Sequence, residues 1–284
     1  MKIEKICARE IFDSRGFPTL ECQILLQDEI CVSASVPSDG AVGAHGAFEL
    51  RDGDQYRFNG RGVLKAVDKI ETIVAPLLID QEPSFTVADE LLSSIDGSGN
   101  AAFLGANTML AVSVAVARAQ AVAEDMELLE LFAYSFGHQK VQMPRPWFNV
   151  LTGNERAKGG RLFIQEFIVI PTQAGSFAEA FYDGSLFYHM LKEVLKDKGL
   201  NYAVGDKGGF APDLAHEWDA FLLLAQTLER LDASRYQLAV DVAASRCYNA
   251  TTGMYQWGDT AYTTADLVEY YIDISEKVPI AAIE

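Results

Sequence analysis

Apolar and polar residues alternate with a period of two along Ile3–Ile11, Thr19–Leu26 and Ile30–Val36, the pattern of half-buried strands. Turn residues at Asp13-Ser14-Arg15-Gly16 and Asp28-Glu29 separate them. From Asn59 to Leu131 the period lengthens. Val63, Ala66, Val67 and Ile70 recur at helical spacing, as do Leu110, Val114, Ala117 and Ala121. Ala111–Ala123 is so rich in alanine and valine that a helix packed on most of its sides is predicted. Gly137, Pro144 and Pro146 mark a boundary, which gives an α+β domain over 1–140 and a second domain over 141–284.

The second domain is predicted to begin with strands at Pro146–Leu151 and Phe163–Ile170. A helix follows from Ser176, which caps it with Glu179 three residues on, and Gly199 ends it. Phe177, Phe181, Tyr188, Leu191 and Leu195 form the expected apolar face of this helix, and Trp218, Phe221, Leu222, Ala225 and Leu228 stripe the next. A strand over Tyr236–Ala244, a turn-rich stretch over Asn249–Asp259, a helix with Leu267, Tyr270, Tyr271 and Ile274, and a strand Ile280–Ile283 complete the order β-β-α-α-β-α-β. Strands separated by helices predict a parallel sheet.

In the Tyr236–Ala244 strand, Leu238, Val240 and Val242 face one way and Ala239, Asp241 and Ala243 the other. A lone carboxylate among alanines requires a cation, a hydrogen-bond donor or a metal. A helix N-terminus or a lysine would satisfy Asp241 as well as a metal would.

Charge narrows the partners. In 284 residues, 23 basic side chains face 40 acidic ones, a net charge of −17, which argues against nucleic acid or an anionic membrane as the general partner. The four cysteines show no Cys-x-x-Cys spacing, and neither a leader pattern nor a run of membrane-spanning length is evident. A cytoplasmic protein with reduced thiols is expected.

Ala8-Arg9-Glu10-Ile11-Phe12-Asp13-Ser14-Arg15-Gly16-Phe17-Pro18-Thr19 resembles the opening of enolase, the 2-phosphoglycerate dehydratase of glycolysis. Leu104-Gly105-Ala106-Asn107, Ile164-Gln165-Glu166-Phe167, Gly205-Asp206-Lys207-Gly208-Gly209-Phe210-Ala211-Pro212 and Asp241-Val242-Ala243-Ala244-Ser245 are similar to further enolase blocks, in order along the chain. The resemblance implies an α/β protein: an N-terminal α+β domain, then the first half of a ββαα(βα)6 TIM-type barrel, four strands of eight. It also implies a homodimer and interconversion of 2-phosphoglycerate and phosphoenolpyruvate, with a lysine base and Mg2+ holding the developing enediolate. Asp241 and Glu284 match magnesium carboxylates, and Gln165 and Glu166 match a substrate-side pair placed after the second strand.

Departures from the family pattern fall on the same site. Lys207 stands where the family has the glutamate that helps hydroxide leave. Arg156 occupies the offset of a substrate-binding histidine, Ala41 replaces a serine that reaches magnesium, Phe17 replaces an asparagine, and Arg246 replaces an acidic residue. The third metal carboxylate, the base lysine and the phosphate clamp belong to later strands of the family. The chain alone is therefore expected to be inactive, to bind Mg2+ weakly, and to associate with itself or with a full-length enolase. A degenerate paralogue acting as a binding or assembly partner is the alternative. Lys207 is expected to pair with Glu166 or Asp241.

Overall fold

The computed structural model describes residues 1–38, 45–138, 140–153, 162–257 and 260–284. It forms two compact units, Met1–Val141 and Gln142–Glu284, each with its own apolar core.

In the first unit, strands β1 (Ile3–Phe12), β2 (Pro18–Leu26) and β3 (Cys31–Ser35) form an antiparallel sheet in that order. Leu20, Cys22, Ile24 and Leu26 all point into the core, so the period-two pattern of β2 is used on one face. Helix α1 (Leu64–Lys69) runs through a π-helical turn, Ile70–Val74, into α2 (Ala75–Leu78). Then come α3 (Phe85–Asp96), α4 (Ala106–Ala123) and α5 (Leu128–Ser135). Helix α4 packs against β2, β3 and α3, burying Ala111, Val112, Ala115, Val116 and Ala119. Contrary to the expectation above, α4 is long and apolar enough to cross a membrane by length and composition alone. Half of it is buried within the protein, and its small side chains serve the packing on the sheet.

Asp96 organises the turn between α3 and α4. Its carboxylate accepts the N–H groups of Ser98 at 3.0 Å, Phe103 at 3.0 Å and Leu104 at 2.7 Å, together with the Ser98 hydroxyl. Burial pushes its pKa up, but these donors pull it below the usual carboxylate value. A depressed pKa contributes stability that is present above the ordinary carboxylate range and lost as pH falls through the folded value. Asp96→Ala should therefore cost about 2 kcal/mol by urea denaturation at neutral pH, and less at acid pH. An equal cost at both would show that the charge is unimportant.

In the second unit, β4 (Phe148–Thr152), β5 (Glu166–Pro171), β6 (Tyr236–Asp241) and β10 (Ile280–Ile283) form one sheet in the order β10-β6-β5-β4. Only β6 and β10 are parallel; β5 runs antiparallel to both β4 and β6. The expected parallel sheet holds for β6 and β10 and is corrected at β5, and the reason is the number of passes. Two helices packed on each other, α6 (Phe177–Asp197) and α7 (Glu217–Glu229), separate β5 from β6. An even number of passes returns the chain to the end it left, so β6 runs opposite to β5. The single helix α8 (Thr264–Lys277) separates β6 from β10 and keeps them parallel.

Ser176 caps α6 by accepting the N–H of Glu179 at 3.1 Å. The inward face of α6 differs from the expected one: Phe177 and Phe181 are exposed, while Ala180, Asp183, Gly184, Phe187, Leu191 and Leu195 are buried. The helix approaches the sheet too closely for large residues there. A Cβ on Gly184 would lie 2.2 Å from the Phe148 ring, and buried Asp183 is paired with Arg235 at 2.6 Å. In α7, Leu222 is likewise exposed and Leu223 and Leu224 are buried. The stretch expected to be turns is a small antiparallel meander, β7 (Tyr248–Asn249), β8 (Met254–Trp257) and β9 (Thr260–Tyr262), held by cross-strand aromatic pairs such as Tyr248 and Tyr255.

Candidate functional site

Strand register builds a row of polar side chains at one end of the second sheet. Thr152 of β4 lies opposite Glu166 of β5, and Glu166 lies opposite Asp241 of β6. Glu284 follows β10 at the same level, its N–H donating to Val240 and its carbonyl accepting from Val242, both at 2.9 Å. Because β5 is antiparallel, Glu166 is its first residue and Gln165 precedes it. The expected position after the second strand is thereby corrected to its start. Half-buried Gln165 continues the ladder through its backbone, donating to Asp241 and accepting from Gly153.

The segment Val204–Phe210 folds beside β4. Phe210 exchanges backbone hydrogen bonds with Val150 and Thr152, and Gly205 and Gly209 are bonded across the hairpin at 2.8 Å. Gly208 has φ +90°, which a side chain rarely tolerates. A Cβ on Gly209 would meet Thr152 Oγ1 at 2.6 Å. Tyr188 stacks on Phe210 at 4.2 Å and donates its hydroxyl to the Gly208 carbonyl at 2.9 Å. These constraints fix the backbone of Lys207 whatever its side chain does.

Lys207 Nζ lies 2.6 Å from Glu166 Oε1, with 59% of the lysine side chain exposed and only 12% of the glutamate's. The contact is an ion pair by distance, but its angles do not make a hydrogen bond at Oε1. Asn149 Oδ1 beside it is also buried without a hydrogen-bond partner among the described residues. Half-buried Asp241 accepts the Ala243 N–H at 2.8 Å, which Ala243 presents from a left-handed conformation, φ +50°. Asp241 is thus satisfied in part by its own turn, and Lys207 has gone to Glu166.

Arg156, Ala41 and their loops (residues 154–161 and 39–44) lie outside the described residues. Phe17 takes the Arg61 guanidinium over its ring at 4.2 Å. Arg246 sits in a 3-10 turn after Asp241, and His45 is exposed. All four cysteines are free, and burial pushes the Cys22 thiol up to about 12.

The donor set does not fit a divalent metal. Among the described residues no group of three or more His, Cys, Asp or Glu side chains could hold one. Of the carboxylates in the row, Glu166 faces an ammonium and one Asp241 oxygen is taken by a backbone N–H. Magnesium requires near-octahedral oxygen ligation and repels a neighbouring cation.

Sequence reasoning did not single out Thr152, Asn149 or Glu217. Glu217, at the start of α7, is 4% exposed and accepts the Phe163 N–H at 2.5 Å. Phe163 stacks on Trp257 at 4.6 Å, so this carboxylate anchors the approach to Gln165 and Glu166. A glutamate in the first turn after a capping His216 was the available signal, and it looks the same in an exposed helix.

Two compact units, one α+β and one built on a four-stranded mixed sheet with carboxylates in a row at one end, define the class: a two-domain α/β protein. The profile described as "Enolase, N-terminal domain" matches residues 3–132, and "Enolase, C-terminal TIM barrel domain" matches residues 140–284. "Enolase 2" of Pseudomonas syringae pv. syringae (strain B728a) is 43% identical over 293 residues, spanning 100% of this chain and 66% of that protein. "Enolase" of Bdellovibrio bacteriovorus is 41% identical over 287 residues, spanning 100% of this chain and 67% of that protein. The chain belongs to the enolase family, and it spans about two thirds of the length of these relatives.

Burial raises the Glu217 pKa above its ordinary 4.5, against the opposing pull of the Phe163 N–H. A carboxyl whose pKa is raised by folding costs stability as pH climbs through the raised value. Glu217→Gln keeps an acceptor for Phe163 and removes the charge. The variant should melt higher than the parent at neutral pH, and the gain should vanish well below 4.5. A gain independent of pH would refute burial of the charge as the cause.

Proposed function

We propose that this chain serves the enolase reaction, the interconversion of 2-phosphoglycerate and phosphoenolpyruvate, as the N-terminal domain and opening barrel strands of a family member. We propose further that it does not perform the reaction unaided. The observation that carries this is the Lys207–Glu166 ion pair at 2.6 Å. Departure of the β-hydroxyl needs a group that gives up a proton. In this site the position beside Glu166 is filled by the Lys207 side chain, 2.6 Å from its carboxylate, in place of a second carboxylic acid. What the rest of the site retains is binding and orientation: Gln165 and Asn149 as amides, Thr152 as a hydroxyl, and Lys207 as a cation able to meet an oxyanion.

The reading carries with it cytoplasmic placement and association with itself or with a full-length enolase. The same ion pair favours a second reading, a non-catalytic paralogue kept as a binding or assembly partner.

The test is the absorbance rise of phosphoenolpyruvate when the purified chain meets 2-phosphoglycerate with magnesium. Loss of a general acid removes ~10²–10⁴ in rate, so no turnover above background is expected. Turnover at the ordinary enzyme rate of about 10 s⁻¹ contradicts the proposal.

A further inference from the structure

We propose that Lys207 is the built-in cation of this site, an ammonium that takes the charge-balancing place of a divalent metal. The inference deepens the functional reading and rests on it for which residues make the site. Its test reads stability rather than turnover, so either can fail alone.

Three observations carry it. First, antiparallel register sets Glu166 opposite Asp241, and directly opposed residues hold their Cβ atoms about 4.5–5.5 Å apart. Two carboxylates at that separation repel, and a cation beside them relieves the repulsion. Second, a cation is there: Lys207 Nζ reaches Glu166 Oε1 at 2.6 Å. The lysine backbone is held by a hairpin that tolerates no side chain at Gly209 and favours none at Gly208, so the ammonium is delivered by a fixed loop. Third, the remaining donors are poor for a metal. One Asp241 oxygen is spoken for by the Ala243 N–H, and no metal-sized cluster of acidic, His or Cys side chains exists among the described residues.

A magnesium ion entering the row would have to displace the ammonium from Glu166 or sit beside it. The first leaves a lysine without its partner, and the second places like charges together. The exposed stem of Lys207 limits what the pair contributes, because solvent screens it. Its contribution to the fold is therefore modest, and its main role is to set the charge of the site. An ammonium also has three donors, so Lys207 can keep Glu166 and still offer a hydrogen to the oxygen of a small anion.

The test is thermal melting of the 284-residue chain and of Lys207→Ala and Lys207→Arg, in magnesium chloride and in chelator. The parent and the arginine variant should melt at the same temperature in both. Lys207→Ala should fall by about 2–4 °C in chelator and recover in magnesium, because an ion that binds only the folded state stabilises it. A parent that melts higher in magnesium overturns the proposal, as does an alanine variant that matches the parent in chelator. Should the alanine variant not fold, calorimetric titration of the parent with magnesium chloride decides: no heat of binding supports the proposal, and a tight site overturns it.

Discussion

Two carboxylates placed opposite each other at the end of an antiparallel strand pair need a positive charge, and much of the second unit is arranged around that need. Glu166 and Asp241 are opposed because β5 runs against β6, and β5 runs against β6 because two helices lie between them. The hairpin carrying Lys207 closes beside β4 because glycines at 208 and 209 let the chain turn and approach Thr152. Sheet direction, helix count and turn chemistry thus converge on one ion pair.

The first unit depends on a different device. Its sheet and α4 pack mainly through apolar side chains, and two of the buried polar groups, Asp96 and Asn107, are tied to backbone. Asp96 gathers three N–H groups of the 98–104 turn, and Asn107 exchanges hydrogen bonds with the backbone of Leu50. Such groups hold loops in place without occupying catalytic positions.

Much of this was legible in the chain itself. Strands β1 to β3 followed from alternation, α4 from its alanine and valine content, and the start of α6 from Ser176 and Glu179. Lys207 stood out because a base sat among acids, and its pairing with Glu166 is what the structure shows. The direction of β5 follows from the two helices between it and β6, a count the predicted order already contains and the reading of a parallel sheet leaves unused. The inward face of α6 is not legible in the apolar pattern, because large aromatics such as Phe177 and Phe181 read as core yet lie exposed. Close helix–sheet approach selects Gly184 and Ala180, and leaves Phe177 and Phe181 outside. The β7–β9 meander and the buried Glu217 escaped for a related reason. Short strands and first-turn glutamates carry no local pattern that distinguishes burial from exposure.

The central claim is that Lys207 and Glu166 act as one charge pair. The most direct measurement is a double-mutant cycle of Lys207→Met and Glu166→Gln by urea denaturation, at low and at high salt. The account predicts non-additivity, with a coupling of roughly 0.5–1 kcal/mol for a pair with one exposed partner, shrinking as salt rises. Additive effects within about 0.3 kcal/mol at low salt would show that the two side chains are independent, and would contradict it.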